Sequence, residues 1–177
     1  TQLVFYFEIQ KMTNSANNPI RIIAPSILTD IAWNEAEVLG GFVWLWQYHD
    51  YYRQASIESA ISIILPIIQS KNFAFLVYKN QPLGYINWAY LSPEQELAYL
   101  NRTQPYEFFT QFNQPGPDKK VWILSWFCVP QMNHQLVMRT AIKRYIFPRQ
   151  TVYFAYHKTP DDQKIMVKSL KGYKFTG

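Results

Sequence analysis

A chain of 177 residues, about half of them apolar and 18% aromatic, is a folded domain with a good core rather than a disordered segment, and is short for two domains. Its longest apolar run, AISIILPII at 60–68, is well below the roughly 18–20 residues that span a bilayer. The lone Cys128 excludes an internal disulfide, and a net charge of +5 without an arginine-rich stripe favours an acidic partner over nucleic acid, so the simplest reading is a soluble cytoplasmic protein with no stable membrane insertion.

In chain order, QKMTNSANNP at 10–19 is polar and turn-rich, which marks residues 1–34 as an N-terminal extension to a domain over 35–177; LVFYFEI at 3–9 can add a strand. From Asp30 to about Tyr48, Ile31, Val38, Phe42, Leu45 and Trp46 give a helical face. Gly40-Gly41 predicts a break there or close packing against another backbone, since each helical glycine costs on the order of 1 kcal/mol. Ile57, Ile61, Ile64, Leu65 and Ile68 predict a second helix that Pro66 bends or ends. FAFLVY (73–78), the turn KNQP and LGYINWAY (83–90) predict a hairpin. Ser92-Pro93-Glu94-Gln95 is a capping box that starts a helix running to about Arg102. A loop with PGPD at 115–118 leads to KVWILSWFCV (120–129), apolar on both faces and therefore a central strand, with Ile123, Ser125 and Phe127 alternating onto one face. A helix over 133–146, the strand TVYFAYH and a short strand near IMVKSL complete an α/β fold with a mixed sheet of five or six strands. The basic tail KIMVKSLKGYK (164–174) reads as a solvated surface or as a docking face for something anionic.

The block EVLGGFVWLWQYHDYYRQ (37–54) raises the functional question, because His49 stands just beyond an aromatic helix. EVLG and WLW within 37–46, LP at 65–66, YINWAYLS at 85–92, ELAYLN at 96–101 and VWILSWFCVP at 121–130 resemble the RTX toxin-activating lysine acyltransferases, from about Glu37 to Pro130 and more loosely to FP at 147–148. The resemblance implies a GNAT-like fold, a mostly antiparallel central sheet flanked by helices. It implies transfer of a fatty acyl chain from acyl carrier protein (or acyl-CoA) to a lysine side-chain amine, with the acyl thioester as co-substrate, no tightly bound cofactor and no metal. Acyl carrier protein and an acceptor protein or precursor peptide are the implied partners, and relatives point to a homodimer.

The family pattern has a His after the WLW helix and an Asp in the central strand; the matching positions here hold Tyr52 and Ser125. His49 lies three residues before Tyr52, so on a continuing helix the two share a face. Lysine has an unperturbed pKa near 10.4, so its transfer chemistry calls for a proton acceptor and a stabiliser of the thioester oxyanion. His49 is then the natural base, Ser125 orients it, positions the amine or gives a proton to the departing thiol, and Tyr52 donates a hydrogen bond. A half-buried histidine at a helix end is the plain alternative for His49, and a hydroxyl bonded to nearby backbone is that for Ser125. Trp46, Asn87, Trp88, Trp126, Phe127, Cys128 and Val129 are candidate acyl-donor contacts. Cys128 reads first as a small buried hydrophobe, and His134 and His157 as surface residues. A non-catalytic relative that binds an acyl chain or acyl carrier protein is the competing function.

Overall fold

A computed structural model of the chain describes residues 20–130, 133–156 and 165–173. Its six strands, β1 (Ile20–Ile23), β2 (Phe73–Tyr78), β3 (Gln81–Leu91), β4 (Lys120–Cys128), β5 (Thr151–Tyr156) and β6 (Met166–Lys171), form one open sheet in chain order. Only β4 and β5 run parallel; every other neighbouring pair is antiparallel. The α/β fold with a mostly antiparallel sheet flanked by helices is therefore the one expected. Ile20–Ile23, part of the stretch set apart as an extension, pairs with β2 at the sheet edge. The strand expected at 3–9 lies outside the described residues.

Local chemistry sets the helix limits. Helix α1 (Glu35–Trp46) begins later than Asp30 because the Asn34 side chain accepts the Glu37 N–H at 2.7 Å, and Glu35 and Glu37 fill its first turn, where the helix dipole favours anions. Gly40-Gly41 does not break it. A Cβ on Gly41 would lie 2.3 Å from Cζ of Phe75, so the close approach is to a ring rather than to another backbone. Helix α2 (Ile57–Ser70) is capped by Ser56 and runs through Pro66 to a left-handed Lys71; the proline does not end it. Lys79 and Asn80 both have positive φ and Tyr78 pairs with Gln81, a two-residue hairpin turn that starts β3 at Gln81, before the expected Leu83. The capping box at Ser92 forms as read and opens α3 (Pro93–Leu100).

The helices cover both faces of the sheet. Val38, Phe42 and Leu45 of α1 and Ile64 and Ile68 of α2 pack with Phe73, Phe75 and Tyr85, and Phe42 stacks on Tyr85 at 4.0 Å. On the other face Val137, Met138 and Ala141 of α5 (His134–Ala141, prolonged by a wider π turn over Ile142–Ile146) meet Trp88 and Ile123. Among the described residues no helix is long and apolar enough to cross a membrane.

One irregularity decides which side chains share a face. Asn87 pairs with Ser125 but Trp88 pairs with Ile123, so Leu124 is an extra residue, a β-bulge. Strict alternation would put Ile123, Ser125 and Phe127 together. Instead Ile123 packs under α5, while Phe127 lies under α1 and α2. That expectation is corrected, and the bulge is the reason.

The two glycines of α1 give opposite expectations. Gly40→Ala, with nothing within 4 Å of the new methyl, stabilises the fold by about 0.5–1 kcal/mol. Gly41→Ala collides with Phe75 and costs about 1–3 kcal/mol. Urea unfolding of the two variants checks this, and equal midpoints would contradict it.

Candidate active site

The bulge gathers a polar cluster inside an aromatic shell. Asn87, 1% exposed, receives hydroxyl protons on its Oδ1 from Ser125 and from Tyr106. Ser125 also lies within hydrogen-bond reach of the Tyr85 and Tyr106 hydroxyls. The indole N–H of Trp46 donates to the Tyr85 hydroxyl at 3.0 Å. Burial pushes the Tyr85 phenol up to about 12 and Tyr106 well above its ordinary value, so both stay protonated and act as donors. Tyr106 reaches this place from α4 (Tyr106–Phe109), a single turn after Pro105 in a stretch that reads as loop. Period-two alternation already places Tyr85 on the face of Asn87; nothing in the sequence pattern points to Tyr106.

His49 and Tyr52 adjoin this cluster. Beyond α1 the chain does not continue as α-helix; it turns, with a 3₁₀ turn over Tyr52–Gln54. Within it the Tyr52 ring stacks on Trp46 at 4.4 Å, and the half-buried His49 ring lies 4.6 Å from Tyr52 and 5.8 Å from Phe127. Burial, then the neighbouring Tyr51 and Glu107, raise the Tyr52 phenol above its ordinary value. His49, Tyr52, Trp46, Phe127, Ser125 and Asn87 therefore share one side of the sheet.

Trp88 and Cys128 sit on the opposite side, under α5, and Trp126 packs against them there. Val129 joins the α1 face and donates its N–H to the Leu83 carbonyl at 3.0 Å. Burial pushes the Cys128 thiol up to about 12, so hardly any thiolate exists near neutrality and the residue is a poor nucleophile. His134 opens α5 as expected, but its ring is half-buried, with Nδ1 enclosed. Burial lowers its pKa, against a hydrogen bond to the Val129 backbone. His157 lies outside the described residues.

Between the two faces the sheet opens. β4 and β5 pair only from Val121–Ile123 to Val152–Phe154, and beyond that they part around a cavity of about 420 Å³. Leu124, Ser125 and Trp126 form one wall, Phe154, Ala155 and Tyr156 the other, and Gln135 and Arg139 of α5 close the rim. Its lining is mixed, with Ser125, Gln135 and Arg139 beside the apolar side chains, which makes it a candidate ligand site.

Comparison with known proteins gives the chain a family. The model of the RTX toxin acyltransferase family matches residues 31–171. The chain belongs to this family. Family membership makes it an acyltransferase. The RTX-II toxin-activating lysine-acyltransferase ApxIIC of Actinobacillus pleuropneumoniae is 26% identical over 81% of this chain and 85% of its own length. The protein-lysine myristoyltransferase HlyC of Escherichia coli is 38% identical over a shorter stretch, 38% of this chain and 40% of its own. The leukotoxin-activating lysine-acyltransferase LktC of a Pasteurella haemolytica-like strain is 27% identical over 72% and 74% of the two chains.

Two measurements test this acyltransferase's cluster. Tyr106→Phe removes one hydroxyl from Asn87 and costs about 1 kcal/mol, while Asn87→Leu takes the shared acceptor from two part-buried hydroxyls and costs about 2–3 kcal/mol in urea unfolding. Cys128 stays unlabelled by iodoacetamide at pH 8 in the native protein and reacts once urea unfolds it; labelling of the folded state would refute the buried thiol.

Proposed function

We propose that the protein transfers a fatty acyl chain from a thioester donor, carried by acyl carrier protein or coenzyme A, to the side-chain amine of a lysine in a protein or precursor peptide. The observation that carries this reading is the slot where β4 and β5 part, with Ser125 in its wall and the His49–Tyr52 turn one strand-face away. The apolar walls from Trp126, Phe154 and Tyr156 suit an acyl chain and the thin arm that bears it. The edge of β4 at Leu124–Trp126, beyond its last pair with β5, is where that arm lies.

Charge supports an anionic carrier. Residues 119–177 hold eleven Lys and Arg against two Asp, whereas residues 1–118 hold six against ten Asp and Glu. Two residues of that basic portion stand at the slot's rim. Arg139 lines it, and Lys168 lies 3.8 Å above the ring of Tyr156, which also lines it. Among the described residues the carboxylate-bound cations are Arg21, Arg53 and Lys120, so the two at the rim are left for a phosphate or an acidic surface.

In the reaction the neutral amine attacks the thioester carbonyl carbon, the C–N bond forms and the C–S bond breaks. The proton lost by the amine goes to the departing thiolate, so an amide and a free thiol result. Hydrogen-bond donors along the slot stabilise the oxyanion.

Labelled acyl–acyl carrier protein and acyl-CoA, each mixed with lysine-containing peptides, test the activity and rank the donors. Arg139→Glu with Lys168→Glu raises the donor KM roughly tenfold or more at low salt with kcat nearly kept, and added salt narrows the gap. His49→Ala with Ser125→Ala lowers kcat at least a hundredfold; an unchanged rate would move the site elsewhere while the activity stood. Donor binding with no turnover on any amine would favour a non-catalytic binding relative.

A further inference from the structure

The side of the His49 ring that faces its own backbone is already occupied. Nδ1 accepts the N–H of Tyr51 at 3.2 Å and that of Tyr52 at 3.4 Å, and the His49 carbonyl accepts the Arg53 N–H at 2.9 Å. A ring nitrogen that accepts two backbone N–H groups carries no proton, because a proton there would point at two others. The neutral ring must then hold its hydrogen on Nε2.

From these contacts we infer that His49 works as a hydrogen-bond donor through Nε2–H, aimed at the oxygen of the acyl thioester, and not as a base. This rests on the acyl-transfer reading above. To act as a base, the ring would have to take a proton on Nδ1 and give up both backbone bonds that hold the turn. Nε2 is the edge left for a ligand: among the described residues nothing accepts its proton. The aromatic rings packed against it are those of Tyr52, from its own turn, and Phe127, from β4. Of the acids near this turn, Asp50 lies 3.7 Å from Arg53, and Glu107 is close enough to act on the Tyr52 phenol.

The neighbours fit a donor better than a base. A base becomes an imidazolium and is helped by an anion, yet Ser125, Asn87, Tyr85 and Tyr106 are neutral and the hydroxyl of Ser125 is given to Asn87. A donor keeps its charge through the step and needs no anion. In the reaction, electron density moves onto the carbonyl oxygen as the amine nitrogen bonds to carbon. Nε2–H holds that oxygen, and the density returns as the thiolate leaves with the amine's proton. Fixed donors of this kind contribute on the order of 10²–10³ in rate.

Two variants separate the roles of this ring. His49→Gln places an amide N–H near the position of Nε2 but loses the Nδ1 acceptor. His49→Asn keeps an acceptor near Nδ1 and loses the donor. The inference expects His49→Gln to stay within roughly tenfold of the native kcat, with His49→Asn and His49→Ala about a hundredfold or more below it. Recovery by Asn alone would show a role confined to holding the turn, and failure of all three would show a base; either overturns the inference.

A second readout does not depend on turnover. Two-bond ¹H–¹⁵N correlation spectra of the ¹⁵N-histidine protein, with His49 assigned from its variants, should show Nε2 protonated and Nδ1 bare. The ketone analogue of the acyl-pantetheine arm common to both carriers, with CH₂ in place of sulfur, should shift the Nε2–H proton. A protonated Nδ1 in the neutral ring, or no shift at saturating analogue, would overturn the inference. Absence of acyl transfer with the tautomer and shift as expected would sink the proposed reaction instead.

Discussion

Two hydroxyl protons on one amide oxygen hold the centre of this molecule. Asn87 is buried in β3, where an unpaired carbonyl would cost about 1–3 kcal/mol, and Ser125 and Tyr106 both give it their protons. Ser125 can do so only because Leu124 is an extra residue in β4. With strict alternation the hydroxyl would share a face with Ile123 and lie under α5, among Val137 and Met138. The bulge turns it to the side of α1, and the amide keeps it there. Bulge and hydrogen bond are two aspects of one local solution, since each supplies the geometry the other needs.

The same place governs the sheet. A strand that bends at a bulge departs from its straight course, and β4 leaves β5 directly beyond Ile123, the residue before the bulge. The parted strands then leave room for a ligand of apolar character, and the basic C-terminal portion of the chain supplies Arg139 and Lys168 at its rim. Leu124 thus lies between a polar cluster on one face and an apolar slot at its edge. A donor in the slot and an acceptor approaching from the side of α1 would meet there, each from its own direction.

Most of the fold was legible in the sequence because its signals are local. Asn34, Ser56 and Ser92 each cap a helix through a short-range hydrogen bond, and the apolar run of β4 marks a strand covered on both sides. The site was legible only in part. His49, Tyr52, Trp46, Asn87, Ser125 and Phe127 are read as a group and lie on one side of the sheet. Trp88 and Cys128 are read with them and lie on the other, as period-two alternation from Asn87 and from Ser125 requires; what alternation misplaces is Ile123, which the inserted Leu124 turns to the far face. No periodicity reports such an insertion in a strand that is apolar on both faces. Tyr106 was missed for a different reason: one helical turn has too few residues to show a period, and only the tertiary fold brings its hydroxyl to Asn87.

The two departures that the resemblance implies, Tyr52 and Ser125, become one change in their structural surroundings. A histidine base beside an aspartate is a pair in which the carboxylate compensates the charge the ring acquires. Removing the carboxylate alone would leave an imidazolium in an aromatic shell, at a high desolvation cost. Here the ring position is also altered. Tyr52 fills it by stacking on Trp46 at 4.4 Å, and the imidazole three residues earlier is tied through Nδ1 to the backbone of Tyr51 and Tyr52. With His49 as the donor inferred above, the site would take no charge of its own. It would leave the amine's protonation to the solvent and to the substrate, and commit the protein's side chains to the carbonyl oxygen. Ser125 in place of an acid is then the consistent partner for a histidine that gives a proton bond and keeps its proton.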